Sequence, residues 1–593
     1  MGRTDRLVFL VLACSAWGYV IARSILVPVV HDEANAFYLF TLTGDFIPFV
    51  AKWDAGNHFV YDALAQVSYV MFGHSLVALR MWSVLSFVLY AWYLWRCGAW
   101  FSSAFVRWCL WAGLLCVPFM IEFFSLARGY GLGLAFWTMA LYHLVAFSES
   151  RGRGDLAATL SAMALACWAT LSMLMVWTGV LTFVVGTILL DRSEKPKAKA
   201  LGVIVLLGVL PWALAVLFAF GLKNHNALYA GTERGYLYGT IVSLAGEVAG
   251  WWNLPWLVVG MVVLLSSIGL AMNRRRGSDR HPQQAALPLV FAVLVFDALA
   301  QSLAGAVLGS HLPKDRAALY LIPPLVLVSA MGVDAISARF KWVQTLAVVF
   351  LLLPLREVQR LNVSHATLWQ DQMIPAEFYR IIADRQQASD RLLLIGAHRF
   401  QEKCTWPFGM RQHGVHLNEL DPLEFPQPIC DLLMIDTGAY TPPPGFRVIA
   451  RGASGVNNLM EREMPLRMRV LVDSALSFPM SPNEFRMVWE ADATPYRGMD
   501  LVLEFSAWIR APRGLTKSDV FVTVEEEGGA KPVDRQMHID DQRGSVEEGP
   551  FAVALHLPRL GKQAHFIKLG LYDPYWSRFA LDSVQFRVRE VLP

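Results

Sequence analysis

The chain has 593 residues, 55% hydrophobic and only 17% charged, with a net charge of +3. A soluble protein of this length carries about a quarter charged residues, so an all-soluble fold is excluded. The small net charge, confined to short basic runs, excludes a nucleic-acid partner. The apolar excess sits in blocks up to about residue 356, and the last third has an ordinary soluble composition. None of the seven cysteines shows metal-site spacing, and five of them fall in apolar segments, where a thiol acts as a small hydrophobe.

Crossing a bilayer takes about 20 apolar residues. That length predicts eleven spans, near 7–30, 76–95, 103–120, 124–147, 155–171, 172–190, 200–221, 252–272, 286–309, 317–338 and 341–356. The first is too long for a cleaved signal and reads as a retained anchor. The basic loops 96–107, 151–155, 191–199, 273–281 and 338–342 fall on one side when the N-terminus is cytoplasmic, as the positive-inside rule requires. The segments 31–75, a short turn near Glu122, 222–250, 311–316 and everything after 356 are then external. Within 58–73, Val60, Leu64, Val67 and Met71 share one helical face opposite Asp62 and Gln66, the pattern of a helix lying in the membrane interface.

The expected fold class is therefore a polytopic α-helical membrane protein with a C-terminal soluble α/β plus β-sandwich region. Residues 1–356 form the membrane domain and 357–464 a small α/β domain, from the helical stretch 376–385 and apolar strands at 391–397 and 431–437. Residues 465–593 form a jelly-roll-like sandwich, from alternating runs at 466–473, 500–510, 518–527, 551–557, 565–573 and 581–591. Outside the cytoplasm, Cys404 and Cys430 are expected to form a disulfide, and the aromatic run 572–579 is either a stacking surface for sugars or part of the sandwich core.

Directly after the first span stands His31-Asp32-Glu33, followed by Gly44-Asp45 with Pro48, then Gly56-Asn57-His58, Phe72-Gly73 and Arg80. This ordered set resembles the first external loop of the GT-C glycosyltransferases, nearest the branch of the protein O-mannosyltransferases and the lipid A aminoarabinose transferase. The resemblance implies a transferase that moves a sugar from a polyprenyl phosphate to an acceptor hydroxyl on the extracytoplasmic face. Asp32 is then the general base, and Glu33 a second catalytic-site carboxylate that orients the acceptor or a basic residue. Many relatives have Glu-Lys-Pro where this chain has Gly56-Asn57-His58, so the phosphate must find its cation elsewhere or in His58.

Arg128, Lys314 and Arg316 lie at external ends of spans, where charged residues commonly mark sites, and with His58 they form the expected phosphate-binding set. Asn57, Tyr61, His225, Glu233 and Arg234 are candidate substrate contacts. No cofactor is required, although an Asp-Glu pair can also bind a divalent ion. The expected partners are the lipid donor, a glycan, lipid or protein acceptor, and the bilayer, here a bacterial inner membrane. Two alternatives remain open on the sequence: a flippase of a lipid-linked glycan and a membrane-anchored glycan-binding protein. A flippase built like many transporters would show repeated halves, which this chain lacks.

Overall fold

A computed structural model describes residues 1–190, 197–228, 231–249, 260, 265–271, 283–370, 372–397, 402–422, 429–478, 484–512, 514–543, 546–574 and 579–592. They fall into two units, Met1–Leu26 with Leu39–Val363, and Val27–Tyr38 with Ser364–Pro593.

The helices run, in chain order, α1 (Arg3–Leu26), α2 (His31–Ala36, part of the second unit), α3 (Phe59–Phe72), α4 (Leu76–Trp100), α5 (Ala104–Leu115), α6 (Pro118–Phe124), α7 (Gly129–Ser150), α8 (Arg153–Ala169), α9 (Leu171–Leu190), α10 (Ala198–Asn224), α11 (Val242–Ala249), α12 (Ala285–Leu308), α13 (Asp315–Ser337) and α14 (Lys341–Arg360). Among the described residues, eight helices are long and apolar enough to cross a membrane. The α5–α6 pair, bent by 54°, makes up to nine. Pro118, at the first turn of α6, has no N–H to continue the ladder of α5, which accounts for the bend. Eleven spans are expected: α8, with 17 residues, overlaps the one at 155–171 but is not among the helices long and apolar enough to cross, and most of the one at 252–272 lies outside the described residues. The first unit is a multi-pass membrane bundle.

Buried polar contacts mark its two ends. At one end, Asp5 accepts from Arg107 Nη2 at 2.7 Å and from Trp108 Nε1 at 2.8 Å, and Asp334 accepts from the Ser102 and Ser103 amides. At the other end, Arg23 donates to the Asn362 carbonyl at 2.7 Å and lies 3.8 Å from Glu122. Arg360 there donates to the Glu247 carbonyl, and Thr232 pairs with Leu312. The segments expected to be external, near Glu122, within 222–250, at 311–316 and just past 356, thus meet at one end of the bundle. Helix α3 buries Tyr61, Asp62, Ala65 and Ser68 and exposes Val67, Val70, Met71 and Phe72. An apolar face turned outward is what an interfacial helix requires.

In the second unit, β1 (Ile395–Ala397), β2 (Leu420–Pro422), β3 (Leu432–Asp436), β4 (Phe446–Arg451) and β5 (Asn457–Arg462) form a mixed sheet of order β2-β1-β3-β5-β4. Helices α15 (Ala376–Gln387) and α16 (Glu402–His413) accompany it. Eight further strands follow: β6 (Arg467–Phe478), β7 (Phe485–Asp492), β8 (Asp500–Arg510), β9 (Asp519–Glu526), β10 (Val533–His538), β11 (Glu548–Leu557), β12 (Ala564–Tyr572) and β13 (Ala580–Leu592). They make two antiparallel sheets, β10-β9-β12-β7 and β11-β8-β13-β6, enclosing a core that includes Leu503, Phe505, Val522, Ile567 and Leu569.

Three features depart from the sequence expectations. Strands β7 and β10 are added; their exposed positions, such as Phe485 and Asp534, blur the alternation by which strands are recognised. Cys404 and Cys430 are not joined in a disulfide; Cys430 is fully buried, and burial pushes its thiol up. The α/β and sandwich pieces also share one apolar cluster, with Leu394, Leu433, Ile435 and Met460 packed with Val502 and Ala554. Asn418 clasps the seam, donating to the Ala554 carbonyl at 2.9 Å and accepting from its amide at 2.8 Å.

Removing that amide leaves two buried backbone groups without partners, at a cost of about 1–3 kcal/mol each. Asn418→Ala should therefore lower the apparent melting temperature of the soluble unit, read by differential scanning fluorimetry. An unchanged melting temperature would show that the seam adds no stability.

Candidate active site

A group of buried polar residues gathers around the 54–58 turn, the start of α7 and the end of α8. Asp54 opens the segment with a tight turn, its Oδ1 accepting from the Gly56 amide at 2.6 Å. Asn57 ties the turn to the preceding loop by donating to the Phe46 carbonyl. His58, 4% exposed, precedes α3, and its amide donates to Asp62 Oδ2 at 2.8 Å. The imidazole Nδ1 lies 2.6 Å from the Ala169 carbonyl at the end of α8. A carbonyl can only accept, so Nδ1 carries a proton, and in the neutral imidazole Nε2 then presents a lone pair.

Arg128 immediately precedes α7 and is 5% exposed. A side chain on Gly56 would lie 3.7 Å from Arg128 Nη2, so the guanidinium reaches the 54–58 turn. The close approach depends on Gly129: a Cβ there would stand 2.0 Å from the Ala169 carbonyl oxygen and 2.9 Å from His58. Ser83 Oγ, on α4, donates to the Arg128 carbonyl at 3.1 Å. Arg80, fully buried, donates to the Ser24 carbonyl at the end of α1.

The electrostatics follow from burial. Burial drives the His58 imidazole well below its ordinary pKa, and the nearby guanidiniums of Arg128 and Arg316 push the same way. Burial and the two guanidiniums thus favour the neutral form of the His58 imidazole. Burial raises the Asp62 carboxyl to about 7, against the downward pull of Arg128 and the His58 amide and with an upward push from Asp54.

Other expected site residues have different roles. Lys314 is exposed and paired with Asp315 at 3.5 Å, and Asp315, at a left-handed φ of 49°, receives the Ser243 hydroxyl. Tyr61 is buried and donates to the Leu79 carbonyl at 2.7 Å. His225 stacks on Trp53 with centroids 4.7 Å apart. Glu233 is exposed beside His311, and Arg234 is exposed. The structure thus brings Asn57, His58, Arg128 and Arg316 together. It adds Asp62, whose place four residues after His58 on the polar face of α3 was the available signal, and Asp54.

Asp32 and Glu33 belong to the second unit, on α2. Glu33 is buried and its Oε2 accepts from the Val30 amide at 3.0 Å, closing the N-terminus of its own helix, so this carboxylate has a structural task. Asp32 is half-buried. The following residues anchor the segment, with Phe37 edge-on to Phe408 at 5.2 Å and the Arg411 guanidinium 5.3 Å from the Tyr38 ring. No group of His, Cys, Asp and Glu among the described residues could hold a metal ion.

No family model and no curated protein matches the chain. Among solved structures, it is similar to ArnT from Cupriavidus metallidurans bound to undecaprenyl phosphate, at 13% identity and a TM-score of 0.38 over 78% of this chain and 98% of that one. It is similar to the arabinosyltransferase EmbB from Mycobacterium smegmatis, at 9% identity and a TM-score of 0.33 over 98% and 64%. A third similar structure is the apo oligosaccharyltransferase of Archaeoglobus fulgidus, at 10% identity and a TM-score of 0.34 over 67% and 63%. Likeness of this degree leaves function to be argued from the residues.

A proton held on Asp62 up to about pH 7 in the folded protein, against an ordinary carboxyl value of 3.8, makes stability depend on pH. The contribution is full below the unfolded value and is lost as pH rises through about 7. The apparent melting temperature of the purified protein should fall between pH 5 and pH 8 more steeply in the wild type than in Asp62→Asn. Equal slopes would show that Asp62 is already ionised across that range.

Proposed function

We propose that the protein is an inverting glycosyltransferase that takes its sugar from a polyprenyl-phosphate donor at the non-cytoplasmic side of a bacterial inner membrane. The convergence of Arg128 and Arg316 on a neutral His58, at the bundle end where the expected external segments meet, carries this reading. A phosphodiester donor is anionic before, during and after transfer. Guanidiniums suit it because they stay charged when partly desolvated and donate in a fixed fork.

In the reaction the acceptor hydroxyl oxygen attacks the anomeric carbon, and the bond from that carbon to the phosphate oxygen breaks. The electron pair leaves with the polyprenyl phosphate, and one displacement inverts the anomeric centre. The hydroxyl proton passes to Asp32, a role that rests on the sequence resemblance. Arg128 and Arg316 stabilise the growing charge on the departing phosphate. His58 Nε2 can accept but not donate a hydrogen bond, so it would serve a hydroxyl and not the phosphate. Asp62 accepts from the His58 amide and so holds the start of α3.

Asp32→Asn should lower transfer at least about a hundredfold, as the loss of a general base does, while leaving donor binding intact. Arg128→Ala and Arg316→Ala should weaken donor binding as well as rate. Glu33→Gln should chiefly lower stability. Transfer retained in Asp32→Asn but lost in Glu33→Gln would move the base to Glu33; transfer retained in both would contradict the mechanism.

A further inference from the structure

A cavity of about 280 Å³ lies in the second unit, between the outer face of the β11-β8-β13-β6 sheet and the end of α15. Its sheet wall carries Glu504 and Ser506 from β8, Ala552 from β11, and Gln585 and Arg587 from β13. Its other wall carries Gln386, Ser389, Asp390 and Arg391. The volume is near the small end of the range of about 300–1,000 Å³ for ligand sites, suited to a single ring and not to an extended chain.

The charges in this cleft are already balanced. Arg391 forms a two-pronged pair with Asp431 at 2.7 and 2.8 Å, Arg587 pairs with Asp473 at 3.0 Å, and Glu504 pairs with Arg589 at 2.8 Å. Within the lining itself, the carboxylates Asp390 and Glu504 offset the guanidiniums Arg391 and Arg587. A phosphate or carboxylate would find no net positive field. By contrast, Ser506 and Gln585, cross-strand partners on this face, form no side-chain hydrogen bond among the described residues. Together they offer a hydroxyl and an amide, each able both to donate and to accept.

The neighbouring position completes the pattern. Glu504, Ser506 and Trp508 alternate along β8 and so share one face of the sheet. Trp508 stands about 7 Å beyond Ser506 along the strand, opposite Pro550 and Asp582, and is 42% exposed. A large ring left open to water beside a neutral, hydrogen-bonding cleft matches a ligand with an apolar face and a rim of hydroxyls. A pyranose or furanose sugar has both.

We propose that this cleft binds a neutral saccharide, one ring seated against Ser506 and Gln585 and the next stacked on Trp508. The site differs from the aromatic run 572–579, part of which lies outside the described residues. It does not depend on the transferase reading, because binding is measured with no lipid donor present.

The test is saturation-transfer NMR on the full-length protein, purified in a detergent without a sugar head group. The probes are neutral trisaccharides of glucose, mannose and arabinose, with trigalacturonic acid as the charged comparison. At least one neutral trisaccharide should receive saturation, and the acidic one markedly less. Trp508→Ala should weaken affinity about three- to tenfold, Trp508→Phe should retain most of it, and Ser506→Ala combined with Gln585→Ala should weaken it comparably. All three positions are partly or fully exposed, so unchanged gel-filtration and melting profiles will confirm folding. No transfer to any neutral trisaccharide, equal transfer to the acidic one, or equal affinity in the wild type and Trp508→Ala would each overturn the proposal.

Discussion

Arg128 is a charged side chain kept almost out of water at the end of a membrane bundle, and much of the local structure exists to hold it there. A buried guanidinium is tolerated only with compensating partners. Asp62 lies close enough to exchange charge effects with it, while the turn at Asp54–Gly56 and the Ser83 hydroxyl fix its backbone and reach. Gly129 lets the start of α7, the end of α8 and His58 meet at distances that no larger residue permits. The consequence is that the His58 imidazole lies within the field of two guanidiniums, those of Arg128 and Arg316.

The same economy of polar partners governs the rest of the chain. In the bundle, Asp5, Asp334, Arg80 and Arg23 each bind backbone or oppositely charged groups, as a low-dielectric setting demands. In the second unit the apolar seam between the mixed sheet and the sandwich is sealed by Asn418, and the charged outer face of the β11-β8-β13-β6 sheet is neutralised pair by pair. Against that background, the exposed Trp508 beside Ser506 and Gln585 is conspicuous because nearby charges are paired and these groups are left to solvent.

Much of the fold was legible in the sequence because its signals are local. Apolar runs of membrane length and the alternation in β8 and β11 each need only neighbouring residues. The 500–510 run matches β8 residue for residue. What depended on distant contacts was not legible. The edge strand β10 is too polar to show its period, Cys404 and Cys430 offered spacing without geometry, and the shared seam at Leu433, Met460 and Val502 joins residues far apart in the chain. In the site, Arg128 and Arg316 could be nominated from their places at helix ends. The neutrality of His58 could not, since it depends on the Ala169 carbonyl and on burial by other helices. Glu33 read as chemistry because an Asp-Glu pair is a familiar catalytic motif, whereas its contact with the Val30 amide identifies a helix cap.

The central claim is that this bundle end moves a sugar off a lipid phosphate. Its most direct measurement is to incubate the purified protein, reconstituted in lipid nanodiscs, with a polyprenyl-phosphate sugar labelled in the sugar, together with a cell-envelope lipid and glycan extract as the acceptor source. The account predicts that label leaves the polyprenyl phosphate, appears on an acceptor with inverted anomeric configuration, and releases one polyprenyl phosphate per sugar transferred. Label that stays on the lipid while the lipid moves between leaflets would contradict it.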